Sequence, residues 1–140
     1  MAFTGNFSCN TLRSGLANGT INLTSDTFYL ALYTNDATLD QTTTAYTTTG
    51  ESTGGDYTAG GQVVTATVSS QTTSSGGITY VSFSSPSWSG QITARGALIY
   101  KAGDNGAVCV LDFGNTKTST TSFTVTMPAN TSTSALIRLV

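Results

Sequence analysis

The chain has 140 residues, a net charge of −2 and no histidine; hydrophobic residues make up 38% and charged residues 9%. One domain fits that length and can bury a core without disulfides or metals. Its five basic residues, Arg13, Arg95, Lys101, Lys117 and Arg138, are scattered, which argues against nucleic acid and anionic membranes as partners, and the missing imidazole removes Ser-His and Cys-His catalysis and His-based metal sites.

Thr and Ser fill about a third of the chain, far above the average share. Thr is β-branched and suits the outer side of a strand, so the surface is expected to be wetted by hydroxyls rather than charges. The first six residues carry neither a basic segment nor an apolar stretch, so no secretory signal is expected there. No apolar run approaches the roughly 18 residues of a spanning helix. Cys9 and Cys109 match no metal or redox spacing and read as two small buried apolar residues, with their pairing left open.

Helical signal is confined to Ser8–Gly19. Ser8 or Asn10 offers a cap, Leu12 and Leu16 lie four apart, and Asn18-Gly19 supplies a stop; Gly15 counts against it. Asp26–Thr34 follows, with both alternating sets apolar, as in a strand covered on both faces. Residues 35–61 then form one long irregular stretch with Thr runs and Gly pairs. It holds Asp36, Asp40, Glu51 and Asp56, four of the seven acidic residues, and the aromatics Tyr46 and Tyr57. Loops this long in compact domains are usually functional or mobile; this one suits an arm lying across a neighbouring subunit, with a disordered surface loop as the alternative.

Further strands are predicted at 62–69, 78–84, 92–101, 107–113, 122–127 and 135–140, with Pro128 closing the sixth. The loop 102–106 contains Asn105-Gly106, a hairpin signal, and Asp104 there is explained by turn chemistry rather than by a bound cation. Trp88 is expected at a buried end of the sandwich, with an exposed interface or sugar-stacking role as the alternative. Together these elements predict a single all-β domain, an antiparallel jelly-roll-like β-sandwich with one short N-terminal helix and a long arm at 35–61.

Catalytic machinery is scarce. A Ser-Lys dyad needs Lys101 or Lys117 buried, and both read as strand-end or loop residues. Among the carboxylates only Asp112 sits within a strong strand, where an ion pair with Arg95 or Arg138 explains it. No enzyme activity is expected. The sequons at Asn6, Asn18, Asn22 and Asn130 are what chance gives in so Ser- and Thr-rich a chain.

Three segments carry a resemblance. They are Phe28–Tyr33 with Ala37-Thr38-Leu39, then the loop Gly55-Asp56-Tyr57-Thr58-Ala59-Gly60-Gly61, then Thr93–Tyr100 running into Ala107–Gly114. In this order and spacing, over most of the chain, they resemble a family of small virion structural proteins of tailed bacteriophages. The resemblance implies a non-enzymatic particle component without a cofactor, assembled in a bacterial cytoplasm and located in the virion. The leading expectation is a capsid decoration or cement protein. It would bind the major capsid protein or another virion protein and associate as a homo-oligomer, with Phe3, Phe7, Tyr46 and Tyr57 at the interfaces. A neck, tail or fibre component is the second expectation, and a carbohydrate-binding adhesion module the third.

Overall fold

The computed structural model describes residues 3–74 and 76–139. Met1, Ala2 and Val140, the last residue of the expected seventh strand, lie outside the described residues. In chain order the elements are β1 (Phe7–Ser8), α1 (Asn10–Asn18), β2 (Phe28–Tyr33), β3 (Gln62–Val64), β4 (Ala66–Thr73), β5 (Gly76–Phe83), β6 (Ser87–Ser89), β7 (Thr93–Lys101), β8 (Ala107–Thr118), β9 (Ser122–Thr124) and β10 (Ile137–Leu139). They build an all-β antiparallel sandwich with one short helix, as the sequence predicts. One sheet has the order β1-β8-β7-β2-β3, a second β10-β5-β4, and β6 pairs with β9.

The helix forms despite Gly15. Cys9, in extended conformation, precedes it, and Gly19 closes it in the left-handed region at φ 80°. A side chain at Gly15 would meet Ile21 Cδ1 at 2.5 Å, so the glycine admits close packing of the following chain. Leu12, Ile21 and Leu23 thereby join the main core, which lies between the five-stranded sheet and the other strands. Phe28, Leu30, Leu32, Ala97 and Ile99 enter it from one side, and Val81, Phe83, Phe123 and Ile137 from the other. Trp88 is buried there, 3% exposed, which removes it as a sugar-stacking residue. Both cysteines are buried free thiols, and desolvation pushes the Cys9 thiol up to about 11 and raises that of Cys109 as well.

A second core covers the opposite face of the five-stranded sheet. Ala31, Tyr33, Leu98, Tyr100 and Val110 meet Phe3, Ala37 and Leu39 there. The central strand β7 is buried from Ala94 to Tyr100, which explains why β2, β7 and β8 read apolar on both alternating sets.

The β7–β8 ladder skips between Ala94↔Lys117 and Gly96↔Asp112. Arg95 sits at this irregularity and pairs with Asp112; the side chains are 7% and 14% exposed. Sequence alone left Arg95 and Arg138 as alternatives, and the structure selects Arg95. Its guanidinium lies 5.7 Å over the Phe3 ring, and Phe3 packs where Gly96 has no side chain. Desolvation acts to raise the Asp112 carboxyl, but the Gly114 backbone N–H and Arg95 outweigh it and hold it below its usual range. A depressed carboxylate stabilises the fold above the unfolded value near ~3.9 and loses that contribution as pH falls through the folded value. Asp112→Asn should therefore cost about 3 kcal/mol in urea unfolding at neutral pH, because Arg95 stays buried without its counter-charge. It should also flatten the fall in stability below about pH 4. A variant as stable as the parent would show that the pair does not hold this corner.

Candidate functional site

Residues 35–61 do not reach away from the molecule. They lie on the chain's own sheet: Ala37, Leu39 and Tyr46 cover the second core, and Tyr57 packs against the main core. Backbone hydrogen bonds stitch the segment down on several sides. Asn10 N–H at the helix start donates to Gln41 O at 2.9 Å, Tyr46 N–H to Asn105 O at 2.9 Å, and Ala107 N–H to Thr44 O at 2.9 Å. Ser52 N–H donates to Leu32 O at 2.8 Å, and Asp56 N–H to Ser89 O at 2.9 Å. The Ser52 hydroxyl, itself buried, donates to Thr93 O at 2.7 Å.

Glu51, the only glutamate in the sequence, stands at the centre of this layer. It bridges to Tyr33 beside the end of β2. The Tyr46 hydroxyl donates to its Oε1 at 2.7 Å, and the Tyr57 hydroxyl and Gly60 N–H donate to its Oε2 at 2.6 and 2.7 Å. Hydrogen bonds to a carboxylate are stronger than neutral ones, so three converging donors are a firm anchor. Tyr57 also accepts Leu32 N–H at 3.0 Å, which ties the anchor to the sheet. The Tyr33 hydroxyl donates to Thr47 O and the Tyr100 hydroxyl to Gly60 O, both at 2.7 Å.

The rings form a ledge. Tyr46 stacks on Tyr100 with centroids 4.7 Å apart, and Tyr29 stacks on Tyr100 at 5.9 Å. Tyr57 leans on Trp88 at 5.5 Å. Burial, reinforced by the bonds to Glu51, pushes the Tyr57 and Tyr46 phenols above their ordinary range. Burial raises Tyr33 as well, and burial with the Glu51 charge pushes Tyr100 up to about 12. These phenols stay protonated donors across the physiological range.

The four aromatics expected at interfaces therefore take different places. Tyr46 and Tyr57 converge on Glu51 and are half-buried within the chain. Phe3 is wholly buried in the second core. Phe7 is half-buried in β1 opposite Val110, where it lines a groove of about 400 Å³ with Leu12, Arg13, Leu16 and Leu139. A second groove of about 410 Å³ runs between β8 and β9, beside Phe113, Lys117 and Phe123. Asp104 accepts Gly106 N–H at 3.0 Å and follows the turn reading. Both Glu51 oxygens accept hydrogen bonds, and Asp112 is paired with Arg95. Sequence reasoning passed over Glu51 and Tyr100, although a lone glutamate between two loop tyrosines was a visible signal.

Among the described residues no helix is long and apolar enough to cross a membrane. No family model, curated protein or solved structure matches the chain.

Removing the anchor should be costly. Glu51→Ala leaves two hydroxyls and one N–H without an acceptor, and each such orphan costs about 1–3 kcal/mol when buried. These groups are half-buried, so we expect Glu51→Ala to lose about 2 kcal/mol in thermal or urea unfolding, and Glu51→Gln less, since its amide keeps one acceptor oxygen. A neutral effect of Glu51→Ala would mean that the segment is held by its backbone bonds alone.

Proposed function

We propose that this chain is a non-enzymatic structural protein of a tailed-bacteriophage virion, in the first place a capsid decoration or cement protein acting through protein–protein contacts. The observation that carries the reading is the ordered set of resembling segments together with where they lie. Phe28–Tyr33 is β2, Thr93–Tyr100 belongs to β7 and Ala107–Gly114 to β8, three adjacent strands of one sheet. The loop Gly55–Gly61 packs on that same unit, with Gly60 accepting from Tyr100 and donating to Glu51. The segments thus form one physical piece, three adjacent strands with the loop bonded to them.

Other features support the reading. The surface is rich in hydroxyls and poor in charge, which favours close packing of many copies over long-range electrostatic steering. Two of the five cations are ion-paired within the chain, Arg95 with Asp112 and Lys101 with Asp26 and Asp104, which leaves little positive charge for nucleic acid. The carbohydrate-binding alternative loses its tryptophan to the core and retains only the half-buried tyrosine ledge.

Quantitative mass spectrometry of purified particles, referenced to the major capsid protein, tests the proposal. A copy number comparable to the capsid protein is expected. A small number would place the chain at the neck, tail or fibre instead, and complete absence from particles would overturn the virion reading.

A further inference from the structure

Among the described residues, strand β4 is a sheet edge that no strand covers, touched at the side chain of Ser69, which accepts from Asn130 Nδ2 at 3.4 Å. On one side it pairs with β5 through eight register pairs, from Ala66↔Phe83 to Thr73↔Gly76, without a bulge. No strand of the described residues pairs with its other side, so alternate backbone N–H and C=O groups there point outward. Proteins guard such edges with charge, proline, bulges or a covering segment. β4 has no charge and no proline, and no Asp, Glu, Lys or Arg occurs anywhere from residue 57 to residue 94.

The neighbouring chain strengthens the point. β3, immediately before β4, is the edge of the five-stranded sheet. Both sheets therefore end, on this side, in one uncharged run from Gln62 to Thr73. Two of the large apolar side chains left exposed lie on it, Val63 at 54% and Val68 at 37%.

We propose that β4 is a self-association edge: two copies pair β4 to β4, antiparallel about a two-fold axis, and join their three-stranded sheets into one. The charge distribution favours a second copy as the occupant. A two-fold axis sets the residues near the middle of the strand opposite themselves, so a charge there would meet its like. A strand selected to receive a different protein has no such restriction, and it gains specificity from complementary charge. The side chains are self-compatible as well. Within the chain, hydroxyl pairs bridge neighbouring strands at 2.9 Å between Ser70 and Thr79, Ser87 and Thr124, and Thr93 and Thr118. Thr67 and Thr72 offer the same hydroxyls along β4, beside Ser69 and Ser70, which are bonded to Asn130 and Thr79 within the chain.

One strand pairing covers less than the roughly 1,200–2,000 Å² of a standard stable interface. The free chain is then a reversible dimer, and the contact strengthens wherever copies are held side by side. The inference does not depend on the virion reading, because its test uses the isolated chain.

Sedimentation equilibrium of the full chain from micromolar to millimolar concentration should show a monomer–dimer equilibrium. Ser70 is exposed, so Ser70→Lys should keep the circular dichroism of the parent and lower the melting temperature only slightly, through the lost hydroxyl bond to Thr79, while weakening dimerisation by about tenfold or more through like-charge apposition. Single cysteines substituted in turn at Thr67, Val68, Ser69 and Ser70 should cross-link with one maximum along the strand, as a two-fold pairing requires. A chain that stays monomeric throughout overturns the proposal and leaves a strand of another protein as the occupant of β4. A dimer untouched by Ser70→Lys, with no cross-linking maximum, overturns it by placing the interface elsewhere.

Discussion

One carboxylate holds the outer layer of this protein in place. Glu51 gathers the Tyr46 and Tyr57 hydroxyls and the Gly60 N–H, and through Tyr57 it reaches the backbone of β2 at Leu32. The consequence extends over the whole five-stranded sheet. Without a cover, Ala31, Tyr33, Leu98 and Tyr100 would face water, and a sheet apolar on both faces would be an aggregation surface. With residues 35–61 in place, the sheet is enclosed between the main core and a polar-skinned layer with little regular structure of its own. Hydrogen bonding fixes that layer, because its apolar content is too low to do so by burial alone. Only Ala37 and Leu39 are fully buried apolar residues between Asn35 and Gly61.

Much of the sandwich was legible in the sequence, and the limits have physical causes. β2, β5, β7 and β8 follow from their apolar runs and bounding glycines, and the hairpin at 102–106 from Asn105-Gly106, with Asn105 in the left-handed region at φ 62°. The two apolar faces of Phe28–Tyr33 announced that something covers each side. What covers the outer side was hidden, since the cover is made by contacts between residues far apart in sequence, such as Ser52 with Thr93. Local patterning has no access to those. The break at Thr65, which hands the chain from one sheet to the other, also leaves no mark in a continuous Val- and Thr-rich run. β8 continues to Thr118 through Gly114-Asn115-Thr116-Lys117, a stretch with strand geometry but turn-like composition.

The candidate interface residues show the same division. Aromatics outside regular strands were reasonable candidates for contact with neighbours, yet Phe3, Tyr46 and Tyr57 are engaged inside the chain. The open positions are instead backbone groups along β4 and the valines beside it. The charged residues divide accordingly: all lie before residue 57 or after residue 94, and the uncharged middle of the chain supplies both exposed sheet edges on one side.

Hydrogen–deuterium exchange on the isolated full chain tests the central claim most directly, that residues 35–61 are a fixed layer of the fold. The account predicts that the amides of Tyr46 and Ser52, both bonded across to other segments, exchange slowly, on the scale of β2, while the outward amides of β4 exchange rapidly at low protein concentration. Exchange of the 35–61 amides as fast as in an unstructured peptide, with β2 still protected, would contradict it and restore the picture of a free arm.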